Sequence, residues 1–152
     1  MNTSTRLFRV ALLASTVAFA ACGMSPKAPM MSGANTAAFG AVLSGAAEVP
    51  PLTTPGAGRL DATLDKNSNM FRWTVTYSGL SGPATMAHFH GPAMAGANAG
   101  VAVPFPSAMS PAKGETVLTA AQVADLMAGK WYANVHTAAN PGGEIRGQVM
   151  AR

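Results

Sequence analysis

The 152-residue chain is long enough for one domain with a single hydrophobic core. Its 16 Gly and 11 Pro favour short strands and frequent turns over long helices. The formal net charge is +4, but Arg6 and Arg9 lie near the N-terminus and the other basic residues are scattered along the chain. Because phosphate binding requires a clustered basic surface, this distribution excludes nucleic acid as a partner.

Residues 1–21 have the pattern of a secretory signal peptide, with a basic start, an apolar run from Val10 to Ala21, and small residues at its end. The run is too short to span a bilayer, which takes about 20 residues. The only cysteine, Cys22, follows Phe19-Ala20-Ala21, and this context resembles the bacterial lipoprotein signal, in which the cysteine is lipidated. Ordinary signal-peptidase cleavage after Ala20 is the alternative, but it would leave a free thiol in an oxidising compartment.

Both alternatives predict export. Lipidation predicts a membrane anchor at Cys22, and the absence of Asp at the next position favours the outer membrane or periplasm. Residues 22–36, which contain Pro26, Pro29 and several Gly and Ser, predict a flexible tether. The folded domain is expected to cover residues 37–152.

Alternating apolar and polar residues predict a series of short strands in the domain. The clearest pattern runs from Met70 to Ser78, where Phe71, Trp73 and Val75 share one face. Residues 66–69 are predicted as the hairpin turn before it. The other predicted strands are Ala38–Ser44, Arg59–Asp65, Thr85–His90, Val101–Phe105, Lys130–Thr137 and Glu144–Met150.

One helix is predicted near the end of the domain. A capping-box pattern spans residues 119–122, an apolar stripe follows at Val123, Leu126 and Met127, and Gly129 closes a segment of about three turns. Together the elements predict an all-β fold, an antiparallel β-sandwich of the Greek-key or immunoglobulin-like type with one short inserted helix.

The chain contains three histidines, and strand alternation predicts where each one points. Residues two apart in a strand share a face, so His88 and His90 project together while Phe89 faces the core. His136 falls on the polar face of its own strand, together with Asn134.

A hairpin between the last two strands is predicted with His136 opposite Glu144 and Asn134 opposite Arg146. A slip of one residue would reverse every face. In this register Glu144, Asn134 and Arg146 are candidates for outer residues that hydrogen-bond to the histidines and orient them.

Two chemical roles are open for the histidines. In the first, His88, His90 and His136 converge as ligands of copper or zinc, both of which accept imidazole, and Glu144 fixes the tautomer of His136. In the second, His88 and His90 bond to carbonyl groups of the loop 91–100 while His136 caps its own hairpin loop.

Other ligands and catalytic groups have less support. Met86 and Met94 flank the histidines and carry soft thioether groups suited to copper, but Met more often fills gaps in packing. No G-x-S-x-G elbow occurs, and the only cysteine is assigned to the leader. Paired carboxylates suited to glycosidic chemistry are absent around the histidines. The chain is therefore predicted not to be an enzyme.

The order of motifs in the domain resembles the CHRD domain, which was named from the extracellular protein chordin and also occurs alone in exported bacterial proteins. The matching segments are Leu43-Ser44-Gly45, Glu48-Val49-Pro50-Pro51, Gly79-Leu80, Ala87-His88-Phe89-His90-Gly91-Pro92-Ala93, Asn134-Val135-His136-Thr137 and Pro141-Gly142-Gly143-Glu144-Ile145-Arg146-Gly147-Gln148. The resemblance implies a non-catalytic binding or structural module with an unidentified protein or small-molecule ligand. It does not imply the bone morphogenetic protein partners of chordin. The strand of His88 and His90 also resembles the H-x-H strand of copper-zinc superoxide dismutases, which are β-sandwiches.

Overall fold

A computed structural model of the protein describes Met1 and residues 35–152. Apart from Met1, the predicted signal peptide lies outside the described residues, as do the predicted lipidation site Cys22 and nearly all of the predicted tether. The first strand begins at Thr36, one residue before the predicted start of the domain. Within the described part of the chain, no helix is both long and apolar enough to cross a membrane.

Residues 35–152 form nine strands, one short 3-10 helix and one α-helix. The strands are β1 (Thr36–Ser44), β2 (Ala57–Asp65), β3 (Met70–Ser78), β4 (Ala84–His90), β5 (Val101–Pro104), β6 (Ala112–Val117), β7 (Tyr132–Thr137), β8 (Ile145–Gln148) and β9 (Met150–Ala151). The 3-10 helix covers Gly45–Ala47, and the α-helix α1 covers Ala120–Met127.

All nine strands belong to one antiparallel sheet in the order β5-β4-β7-β8-β1-β2-β3-β6, with β9 added beside β1. Phe71 on β3 and Phe89 on β4 have ring centroids 5.3 Å apart, although their strands are five positions apart in this order. In a flat sheet with strands about 4.8 Å apart, that separation would be roughly 24 Å. The sheet therefore curls, as a half-barrel, around an aromatic core.

The aromatic core lies on the concave side of the sheet and joins strands from both of its halves. Phe71 also packs edge-on against Phe39 and Trp131, and Trp73 packs against Phe89. Phe39, Phe71 and Phe89 are fully buried. Edge-to-face pairs of this kind stabilise a core beyond the area they bury, by about 0.5–1.5 kcal/mol each.

The prediction of an antiparallel all-β fold with one short helix is confirmed. Assignment to a two-sheet sandwich of the immunoglobulin-like or superoxide-dismutase-like kind stays a prediction, because hydrogen bonds join all the strands in one sheet. β5, which ends at Pro104, is an edge strand, as proline requires. The other edge strand, β6, was not predicted, because Lys113, Gly114 and Glu115 interrupt any apolar alternation.

The helix has the predicted capping box: the Thr119 hydroxyl accepts from the Gln122 backbone N–H, and the Gln122 side chain accepts from the Thr119 N–H. Its eight residues make just over two turns, fewer than predicted. Leu126 is fully buried, but Met127 is 45% exposed, so the apolar stripe is narrower than expected.

The predicted register of the last hairpin is confirmed. Asn134 pairs with Arg146 and Val135 pairs with Ile145, while the backbone N–H of Glu144 donates to the Val135 carbonyl. β7 lies between β4 and β8, and this order brings the histidines of β4 and β7 onto one face.

Candidate metal centre

The pairing of β4 with β7 gathers the three histidines. His88 lies opposite Asn134, and His136 lies opposite Met86, two residues before His88 on the same face. The imidazole rings of His88 and His136 have centroids 5.0 Å apart, and those of His88 and His90 5.5 Å apart. The predicted convergence of the three rings is therefore present in the fold.

The ring nitrogens are close enough to share one ion. One nitrogen from each of His88, His90 and His136 can be chosen so that all three lie within 4.8 Å of one another. Two nitrogens bound to one tetrahedral metal at about 2.0–2.1 Å are roughly 3.3 Å apart. His88 Nδ1 and His136 Nε2 already have this spacing, at 3.2 Å, and a ring shift of roughly 1.5 Å at most completes the set.

Two of the rings are held by backbone carbonyl groups at their far nitrogens. His136 Nδ1 lies 2.9 Å from the Pro141 carbonyl oxygen, and His90 Nδ1 lies 3.0 Å from that of Ala99. In a neutral imidazole only one nitrogen carries a proton, so these contacts place the proton on Nδ1 and leave a lone pair on Nε2. Histidine ligands of metals have this arrangement, with the other nitrogen donating to a carbonyl or carboxylate.

The lone pair on His90 Nε2 has no hydrogen-bond partner among the described residues, although the atom is buried. His136 Nε2 lies 3.0 Å from Asn134 Oδ1, and both atoms are acceptors when the ring carries its proton on Nδ1, so the donor within reach of His136 Nε2 is His88 Nδ1. A buried acceptor without a donor costs about 1–3 kcal/mol. A cation between these atoms would satisfy all of them.

Burial keeps two of the rings uncharged. Removal from water lowers the pKa of His88, and the neighbouring His136 and His90 lower it further. Burial also lowers the pKa of His136, against the opposite effect of the Pro141 carbonyl. Neutral imidazole is the form that binds a metal.

The third ring, His90, is held by an aromatic stack. Its ring lies parallel to that of its cross-strand partner Tyr132, with centroids 4.8 Å apart and planes inclined by 2°. The Arg146 guanidinium carbon lies 3.3 Å from the Tyr132 ring centroid. Arg146 also donates to the Ala97 carbonyl and to the Asn98 side chain. The stack thus ties His90 to the loop that covers it.

A family model described as the CHRD domain matches residues 39–149, from β1 to the residue after β8. This chain belongs to the CHRD domain family. Modules of this family are in general non-enzymatic. No curated protein matches the chain, and no solved structure matches it.

In this CHRD domain, Glu144 does not serve the histidines as predicted. Its carboxylate accepts hydrogen bonds from the Thr54, Ser81 and Thr137 hydroxyls, the Ser81 backbone N–H and the Asn140 side chain. The Pro141 carbonyl occupies the position beside His136 Nδ1 that Glu144 was expected to take. Glu144 takes these partners because a fully buried carboxylate is stabilised by hydrogen-bond donors, and the nearby hydroxyl groups supply them.

The pKa of Glu144 reflects this setting. Burial acts to raise it, but the hydrogen bonds from Ser81, Thr137 and Thr54 outweigh burial and lower it to about 2. The carboxylate of the folded domain is therefore charged at neutral pH.

Arg146 and Asn134 occupy the places that the register predicts, yet they act differently. Asn134 touches the cluster directly through Oδ1. Arg146, only 2% exposed, reaches it only through Tyr132 and the covering loop. The role of Tyr132 was not foreseen, because alternation gives the face of a side chain but not its stacking partner.

Glu48 is a further buried carboxyl group of the CHRD domain. It is 7% exposed, and its Oε1 has no hydrogen-bond partner among the described residues. A Cβ atom at Gly143 would meet both Glu48 Oε1 and Asn134 Nδ2, so the two side chains pack on this glycine. Burial raises the pKa of Glu48 to about 7, against the charge of Arg146.

The two predicted roles of the histidines turn out to be compatible. His90 bonds to the loop 91–100 and His136 bonds to its own hairpin loop, as the structural alternative predicts. His88 instead bonds to His136. Because the loop bonds use Nδ1, the Nε2 lone pairs of both rings point to the cluster, where His90 Nε2 has no partner among the described residues and His136 Nε2 contacts His88 Nδ1.

Proposed function

We propose that this CHRD domain is a non-catalytic binding module that holds a zinc or copper ion between His88, His90 and His136. One observation carries the proposal: backbone carbonyl groups take the Nδ1 protons of His90 and His136, so that both Nε2 atoms carry lone pairs in the cluster, and the buried His90 Nε2 has no donor among the described residues. A bound cation would stabilise this set of ring nitrogens. Without a cation, the buried lone pair costs free energy.

The chemistry of the donors suits these two metals. Three neutral imidazoles match the preference of Zn and Cu for nitrogen ligands. Three protein ligands leave a fourth position for a water molecule or another side chain. Asn134 Oδ1 supplies a further oxygen beside His136.

Metal titration of the full-length chain, purified in detergent and stripped with a chelator, tests this proposal. We expect one equivalent of Zn(II) or copper to bind with a sub-micromolar Kd. His88→Ala and His136→Ala should each weaken binding by about 100-fold or more, since loss of a ligand should cost at least as much as loss of a group that only orients one. Thr76→Ala, an exposed site on β3, is the matched control and should change nothing.

Thermal unfolding of each variant shows whether it is folded. The proposal is wrong if the folded wild type binds neither metal with a Kd below about 10 μM, a free energy of binding weaker than about 7 kcal/mol. It is also wrong if folded His136→Ala binds metal as tightly as the wild type.

We further propose that a lipid on Cys22 holds the domain at the outer membrane or in the periplasm of a bacterial envelope. The support is the N-terminal pattern, with a basic start, an apolar run and small residues before the cysteine. Cells fed radiolabelled palmitate should label the wild type but not Cys22→Ser, which should leave the membrane fraction. Equal labelling of both proteins would contradict the anchor.

A further inference from the structure

The polar face of β4 passes from buried to exposed along its length. His90 is 9% exposed, His88 has intermediate exposure, and Met86 is 47% exposed. His136, across from Met86, is 5% exposed. The histidine cluster is therefore closed at the His90 end and open to solvent at the Met86 end.

Met86 is placed to reach the cluster from this open end. It is the cross-strand partner of His136 and shares a face with His88. Residues directly opposite in an antiparallel pair have Cβ atoms about 4.5–5.5 Å apart. A methionine side chain has three rotatable bonds, so its thioether sulfur can enter the space between His88 and His136.

Packing does not explain a methionine at this position. Met86 lies outside the hydrophobic core, whose members on the same strand are Ala87 and Phe89. Nearly half of its surface is exposed, so little apolar area is removed from water. Its cross-strand partner on β7 and the next residue along this face of β4 are both histidines, His136 and His88.

We propose that Met86 is the fourth ligand and that the site consequently selects Cu(I) over Zn(II). This inference rests on the proposed metal-binding function. A thioether is a soft ligand that favours Cu(I), whereas zinc sites in proteins use thiolate, imidazole and carboxylate groups. The ion binds and leaves as Cu(I), with no change of oxidation state.

The position of Met86 also defines the route of the ion. At the open end, the thioether is the ligand that an incoming ion meets first and an outgoing ion leaves last.

The test compares Cu(I) and Zn(II) affinities of the full-length chain in Met86→Leu. Cu(I) is measured without oxygen by competition with bathocuproine disulfonate, and Zn(II) by competition with a chromophoric chelator. We expect Met86→Leu to weaken Cu(I) binding by about tenfold or more while Zn(II) binding changes less than about threefold. Leucine preserves the apolar volume, so the fold should be unaffected.

Met150→Leu is the matched control. Met150 is 55% exposed and lies on β9, which pairs with β1, three strands from β4. It should leave both affinities unchanged. X-ray absorption of the Cu(I)-loaded wild type should show a sulfur neighbour that is lost in Met86→Leu and kept in Met150→Leu.

The outcomes separate this inference from the function on which it rests. If the wild type binds both metals but Met86→Leu leaves the Cu(I) affinity and spectrum unchanged, Met86 is not a ligand and the three-histidine site stands. Equal losses of Cu(I) and Zn(II) in Met86→Leu would also overturn the selectivity. If the wild type binds neither metal, the proposed function itself fails.

Discussion

Adjacent residues of β7 serve two buried polar clusters with opposite characters. Thr137 belongs to the cluster around Glu144, where five hydrogen bonds converge on one carboxylate. His136 belongs to the histidine cluster, where its Nε2 lies beside the Asn134 Oδ1 acceptor and His90 Nε2 has no donor among the described residues. A satisfied buried network holds a structure together, whereas an unsatisfied one indicates a missing ligand.

One loop supplies groups to both clusters. The hairpin loop between β7 and β8 gives Asn140 to Glu144 and the Pro141 carbonyl to His136. This fold supplies five donors to Glu144. The histidine cluster lies only a few residues away, so the fold is able to supply donors there as well. We infer that the gap in the histidine cluster is functional, and three predictions test this distinction.

The largest expected effect is on the stability of Glu144→Gln. The amide cannot accept from all five donors and adds an N–H group among them, so we expect the free energy of unfolding to fall by about 3 kcal/mol. Urea denaturation measures this loss. Glu115→Gln, whose charge pairs with Arg72 on the exposed surface, should cost under about 1 kcal/mol. Metal affinity of folded Glu144→Gln should equal that of the wild type.

Acid unfolding adds a pH-dependent test of the same variant. The folded-state pKa of Glu144, about 2, lies below its ordinary value of 4.5. The carboxylate therefore stabilises the fold fully above about pH 4.5, and this contribution is lost as the pH falls toward 2. Glu144→Gln should lack this part of the acid dependence. An unchanged slope between pH 4.5 and 2 would show that Glu144 does not anchor the loops.

An intermediate effect is expected when the stack behind His90 is removed. Tyr132→Leu takes away the ring that lies parallel to His90, so we expect about a tenfold loss of metal affinity, as for other groups that orient a ligand. Tyr77→Leu, on β3, is the control and should leave the affinity unchanged. Titration followed by NMR should show altered His90 ring signals in Tyr132→Leu only. Equal affinities in the two variants would assign the stack to packing alone.

The smallest effect is expected at Glu48. This buried carboxyl group is not fully hydrogen-bonded, as Glu144 is, and it is not one of the proposed metal ligands. Its folded-state pKa of about 7 lies above the ordinary 4.5, so folding favours the protonated acid. The contribution of Glu48 to the free energy of unfolding is therefore greatest below about pH 4.5 and is lost as the pH rises through 7. Glu48→Gln should match the wild type at pH 4 and be more stable at pH 8 in thermal unfolding. A wild type that is equally stable relative to the variant at both pH values would contradict this assignment.

Local patterns predicted a large part of the fold. Alternation gave β3 its bounds, the capping box gave α1 its start, and the short hairpin loop gave β7 and β8 their register. β6 was missed because it is an edge strand in which only Ala112 is buried, so its sequence needs no apolar repeat. The partners of Glu144 were missed because Thr54 and Ser81 are 90 and 63 residues away along the chain.

The sequence by itself determined which residues share a face, because the two-residue repeat of a strand depends only on local backbone geometry. It therefore placed His88, His90 and His136 on the side opposite the aromatic core. Only the tertiary structure decided that β4 lies beside β7, which ring nitrogens face inward, and which carbonyl groups hold them. Those features depend on strand order and loop closure, which bring distant parts of the chain together and leave no local periodicity to read.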